Sequence, residues 1–95
     1  FVADGCEIYG MIEHSVISTG CTVGKGAEVI DSVIMPDVVI ENGASIRNAI
    51  IAEGCVIRAG AKIGGDVENG ERRISVIGKE KEISEGTVIE PGAIV

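Results

Sequence analysis

Aliphatic residues recur along this chain at a fixed interval of 17. Ile17, Ile34 and Ile51 lead three successive units; Val23, Ile40 and Ile57 follow six residues behind them, and Val29, Ile46 and Ile63 six further on. Each unit therefore divides as six, six and five. Four residues after a leading aliphatic stands another small or aliphatic residue, giving Cys21, Val38 and Cys55 in one column and Ala27, Ala44 and Ala61 in the next. The third column reads Val33, Ile50 and Val67. Between these positions lie polar residues and glycines, in pairs such as Thr19-Gly20, Lys25-Gly26, Asn42-Gly43 and Glu53-Gly54. Such pairs make turns, because they tolerate positive φ.

Apolar positions six apart do not stay on one face of an α-helix, which turns every 3.6 residues. They do fit a three-sided coil in which each division is a short strand plus a corner and the leading Ile or Val points inward. The pattern predicts an all-β chain, a single-stranded parallel β-helix of about five coils, with neighbouring coils pairing as parallel strands ~4.8 Å apart. Residues 1–95 form one such domain. Val2, Ile8 and Ile12 lead a less regular first coil with sides of six, four and five residues. After Ile63 the rhythm breaks, then resumes at Ile77, Ile83, Ile89 and Val95. Fourteen residues separate Ile63 from Ile77 where five served before, so about nine form an extruded, charged, Gly-rich loop near residues 64–75.

Composition supports a narrow interior. Phe1 and Tyr9 are the only aromatics, yet 45% of the chain is hydrophobic and 14 residues are Gly. Stacked identical aliphatic side chains, rather than interlocking large ones, let so short a chain bury a continuous core. Eight Lys and Arg against fifteen Asp and Glu give a net charge of −7, which repels nucleic acid and anionic membrane surfaces. No apolar run approaches the ~20 residues of a membrane span. The chain reads as soluble and cytoplasmic. Phe1 and Val95 sit on or beside repeat positions with no polar cap beyond them, so the chain is expected to be a piece of a longer protein.

Val23-Gly24-Lys25-Gly26-Ala27-Glu28 is an instance of the hexapeptide motif of left-handed parallel β-helices, and the left hand is taken from that resemblance. The strings Val2-Ala3-Asp4-Gly5-Cys6-Glu7-Ile8-Tyr9-Gly10, Ile12-Glu13-His14-Ser15-Val16-Ile17 and Asp31-Ser32-Val33-Ile34-Met35-Pro36 narrow it. Together with the four-residue side and the ending Ile74-Ser75-Val76-Ile77-Gly78, they resemble the C-terminal domain of bacterial glucose-1-phosphate adenylyltransferases. The resemblance covers essentially the whole chain. It implies an N-terminal nucleotidyltransferase domain, lying outside these residues, that uses ATP and Mg²⁺ to make ADP-glucose from glucose 1-phosphate for glycogen synthesis. It also implies a regulatory and assembly role for the β-helix, whose partners are its own catalytic domain and homologous subunits in a homo-oligomer. The non-catalytic partner subunit of that enzyme is the alternative, and a trimeric hexapeptide acyltransferase a more distant one.

No catalytic, cofactor-binding or metal-binding residue is assigned. His14, the sole histidine, invites comparison with the general base of hexapeptide acyltransferases, but its register with Asp31 and Asn48 makes it a corner residue. One histidine cannot supply the three zinc ligands of a γ-class carbonic anhydrase. Cys6, Cys21 and Cys55 share an inward column and are expected as free thiols. Arg72 and Arg73 in the loop, with Lys79 and Lys81 on the next coil, are candidate contacts for an anionic metabolite effector, with Arg47 and Arg58 of the same standing; solvated charge is the competing reading.

Overall fold

The computed structural model describes residues 1–67 and 70–95, and Glu68 and Asn69 of the expected loop lie outside them. Among the described residues there are fourteen strands and no helix, hence none long and apolar enough to cross a membrane. All pairings between named strands are parallel, and the strands collect into three sheets. The first face stacks Val16–Ile17, Val33–Ile34, Ala49–Ile51 and Ser75–Ile77. The second stacks Glu7–Ile8, Thr22–Val23, Val39–Ile40, Val56–Ile57 and Glu82–Ile83. On the third lie Met11–Glu13, Glu28–Ile30, Ser45–Arg47, Lys62–Gly64 and Val88–Ile89. The expected five coils thus resolve into about three full turns, led by Ile17, Ile34 and Ile51, with partial coils at either end completing the five-strand stacks.

Why the pattern produces this solenoid is plain from its interior. Ile17 pairs with Ile34 and Ile34 with Ile51, so like side chains stack coil upon coil. The same register joins Val23, Ile40 and Ile57 on the second face and Val29, Ile46 and Ile63 on the third. All nine are essentially inaccessible to water, and each contributes on the order of 1.5–3 kcal/mol by burial. Cys21, Val38 and Cys55 and the alanines 27, 44 and 61 fill the two corners between them.

The third inner column differs from expectation. Val33 and Ile50 do stack on each other, but they face outward and are 41% and 37% exposed, while Val67 is exposed in the segment after the third face. Because the third side holds five residues, its inward corner position falls three residues after the leading aliphatic rather than four. Ser15, Ser32 and Ala49 occupy it, with Ser75 in the following coil. Buried hydroxyls need partners, and these have them: Ser32 Oγ donates to the Ile30 carbonyl at 2.8 Å and accepts the Ala49 amide at 3.2 Å. Ser15 likewise accepts the Ser32 amide at 3.0 Å.

The short middle side of the first coil is real and depends on one glycine. Tyr9 and Met11 donate their amides to Val23 and Ala27, so Gly10 alone spans the stretch that takes three residues in the next coil. A Cβ on Gly10 would lie 2.7 Å from the Gly24 carbonyl oxygen and closer still to that of Ala27. The insertion in the fourth coil is equally local. Gly64 pairs with Arg47 and Ser75 with Ala49, so eleven residue steps replace two and nine residues are added at a single corner, as the spacing predicts.

Two measurements by denaturant unfolding check this register. Ser32→Ala, which strips the buried Ala49 amide of its acceptor, should cost about 1–3 kcal/mol, whereas Val33→Ala next to it should change stability by only about 0.5 kcal/mol. Gly10→Ala should cost about 1–3 kcal/mol through overpacking against the second coil.

Candidate functional site

Corners, not strands, hold the groups with chemistry. His14, Asp31 and Asn48 form a column between the third and first faces, each with positive φ, at 46°, 50° and 49°. That conformation favours Asn, Asp and His over other side-chain-bearing residues. His14 Nδ1 stands 3.7 Å from Asp31 Oδ1, as the 17-residue register requires, and its side chain is 80% exposed. Neither of the two grooves described below is lined by His14. Asn48 is buried; its Nδ2 donates to the Gly65 carbonyl at 2.7 Å and fastens the start of the insertion, while its Oδ1 has no partner among the described residues.

The cysteine column is a set of free thiols. Cys6 donates to the Ser18 carbonyl at 3.0 Å, Cys21 to Met35 at 3.2 Å and Cys55 to Gly78 at 3.0 Å, each reaching the next coil just past its leading isoleucine. Burial pushes the Cys21 thiol above its ordinary value, so it stays protonated and unreactive at neutral pH. Among the described residues no group of three or more His, Cys, Asp or Glu is placed to hold a metal ion.

Two of the candidate cations are consumed by ion pairs between coils. Arg47 donates to Asp66 at 2.7 Å and Glu28 at 3.0 Å; Arg58 donates to Glu41 at 2.8 Å and forms an ion pair with Glu82 at 3.2 Å. These contacts raise both guanidinium pKa values, through Asp66 and then Glu28 for Arg47, and through Glu82 and then Glu41 for Arg58. The Arg58–Glu41 pair lies 17 residues apart and was legible in the repeat. Arg47 reaches Glu28 and Asp66 diagonally at 19 residues, which the columns alone do not indicate. Of the remaining four cations, Arg73 and Lys79 lie at different corners. Arg73 lies along the Gly92 corner between the third and first faces, whereas Lys79 sits beside the positive-φ Glu80 at the corner between the first and second. Arg72, Arg73, Lys79 and Lys81 are all exposed.

One groove of about 510 Å³ runs over the third face between Gly26, Gly43 and Ser45 on one side and Asp66 at the base of the insertion on the other. Its charges balance, Arg47 and Lys62 against Glu28 and Asp66, so it does not concentrate positive potential. A smaller one of about 280 Å³, lined by Thr22, Val39 and Ala59 among others, lies on the second face and is mainly apolar.

The profile of a protein family described as GlmU-like, C-terminal hexapeptide matches residues 1–84. The chain is similar to a glucose-1-phosphate adenylyltransferase of Clostridium perfringens strain 13, 46% identical over 92 residues that make up 97% of this chain and 22% of that protein. A protein of the same name from Clostridioides difficile strain 630 is 63% identical over 38 residues, 40% of this chain and 10% of that protein. The chain thus spans less than a quarter of the length of these relatives. Among solved structures, the acetyltransferase domain of PglB from Neisseria gonorrhoeae FA1090 superposes with a TM-score of 0.63 over 99% of this chain and 47% of that one. At 13% identity this is a likeness of fold alone.

Cys21 offers a test of the inner column. A thiol whose folded pKa is raised contributes stability that is complete below its unfolded pKa, about 8.5, and that declines as pH rises through the folded value. Cys21→Val, which repeats the Val38 solution one coil later, should alter stability at pH 7 by less than about 1.5 kcal/mol and flatten the loss above pH ~8.5, measured by thermal unfolding across pH.

Proposed function

The chain belongs to the GlmU-like C-terminal hexapeptide family, and we propose on that footing that it is the regulatory and assembly domain of a glucose-1-phosphate adenylyltransferase. The observation that carries this reading is the reach of the similarity. An alignment of 92 residues out of 95 necessarily runs through both irregularities, the short side at Gly10 and the corner insertion, at 46% identity.

On this reading the chemistry, which joins ATP and glucose 1-phosphate into ADP-glucose and pyrophosphate, belongs to an N-terminal nucleotidyltransferase domain. ATP and Mg²⁺ are held there, and these 95 residues contribute no catalytic group. Their work is to contact that domain and homologous subunits in a cytoplasmic homo-oligomer. An anionic metabolite effector is part of the same proposal, with Arg72 and Arg73 in the insertion as its contacts; the pairing of Arg47 and Arg58 with carboxylates on neighbouring coils argues against those two. The non-catalytic partner subunit shares the β-helix and remains the second reading.

Expression of the complete open reading frame beside the 95-residue chain tests this. The full polypeptide should convert ATP and glucose 1-phosphate to ADP-glucose with Mg²⁺ present, and the chain alone should not. A full polypeptide that forms no ADP-glucose by itself but raises the activity of a catalytic homologue would select the partner-subunit reading. Micromolar binding of acetyl-coenzyme A to the chain would overturn both in favour of an acyltransferase.

A further inference from the structure

Cys6 and Cys21 occupy neighbouring places in one inward column. Glu7 pairs with Thr22, Thr22 with Val39, Val39 with Val56 and Val56 with Glu82. The residues one step earlier therefore stack as Cys6, Cys21, Val38, Cys55 and Lys81. One coil separates the first two, and the Glu7 amide donates to the Cys21 carbonyl at 3.0 Å. Their Cα atoms are thus ~4.8 Å apart, inside the ~4.4–6.8 Å that a disulfide spans. Cys55 is two coils from Cys21, ~10 Å, with Val38 between them, and that is too far for such a bond. Of the three thiols, one pair alone can be joined.

Access to the two differs. Cys6 is partly exposed, whereas Cys21 is buried, so a dissolved reagent meets Cys6 first and Cys21 meets only the sulfur beside it. Cys6 already points along the coil axis, its thiol 3.0 Å from the Ser18 carbonyl of the second coil, and Cys21 points the same way to Met35 of the third at 3.2 Å. Closing the bond asks Cys21 to turn about its first side-chain torsion and give up one weak S–H contact. The coil that this would fasten is loosely packed and paired on one side only: Cys6, Ile8 and Ile12 are partly buried, where Cys21, Val23 and Val29 above them are fully so. We infer that Cys6 and Cys21 are an oxidisable pair which a small-molecule disulfide of the glutathione type converts to a reversible clasp, locking the first coil onto the second. In the first step the Cys6 thiolate attacks one sulfur of the reagent and expels one thiol, leaving a mixed disulfide on Cys6. Cys21 then attacks the Cys6 sulfur and expels the other half of the reagent. Two protein thiols are oxidised, one reagent disulfide is reduced, and the two thiol protons leave on the two released thiols.

Incubation of the folded chain with oxidised glutathione, followed by alkylation and peptide mapping, tests the pair. Mapping should find one cross-link, Cys6 to Cys21, with Cys55 still reduced. The melting temperature should rise by about 5 °C or more and fall back on addition of dithiothreitol. Cys6→Ser and Cys21→Val should each lose both the cross-link and the rise on oxidation, while Cys55→Ser should keep both. Each comparison is made between the oxidised and reduced forms of one variant, so a change in its basal stability does not enter. A glutathione adduct that stalls on Cys6, a bond between two chains, or a cross-link that leaves the melting temperature unchanged would overturn the inference, as would three thiols that stay free.

Discussion

Everything in this molecule follows from an interior one side chain deep. Three short strands enclose a triangular space that each coil fills with three leading aliphatics and three corner residues, small ones except at Val38. Ile17, Ile34 and Ile51, or Ile40 and Ile57, are therefore the same residue because each sits on its own image in the next coil. Packing at native density then requires only that the spacing be kept, which explains how 95 residues with two aromatics bury a continuous core.

The same narrowness sets the polar chemistry. At a corner the backbone turns away from its neighbours, and a buried amide there needs an acceptor that a β-ladder does not supply. Serine answers this on the third side, where Ser15 and Ser32 take amides from the following coil. Cysteine does a related job on the first side, donating from within an otherwise apolar column. Ser15, Ser32 and Ala49 differ little in volume at this corner, so hydrogen bonding rather than size distinguishes them.

Much of this was legible in the sequence because period is a backbone property. The 17-residue repeat, the shortened side at Gly10, the nine added residues and the stacking of His14 on Asp31 all follow from counting. What counting missed came from side-chain direction and reach. Val33 and Ile50 were apolar and in register, yet a five-residue side shifts the inward position by one and turns them to solvent. Arg47 extends diagonally across the third face to Glu28 and Asp66, beyond any single column. The hand of the coil is not in the periodicity either and comes from the family resemblance. Function was the least legible part, since the composition and the columns describe a scaffold and the adenylyltransferase reading enters through similarity.

The insertion between Gly64 and Ser75 has a meaning beyond its own residues. Gly64 is still in register with Arg47, and Ser75 is already in register with Ala49; Asn48 clamps the departing strand through Gly65 and accepts the returning Ser75 amide at 3.1 Å. Entry and exit are thus fastened to one residue of the coil beneath, and the spacing of later coils is insulated from how many residues lie between. Such a corner works as a socket: lineages sharing this scaffold are free to lengthen, shorten or exchange what is plugged in there, and so to acquire new recognition, while the stack below keeps time.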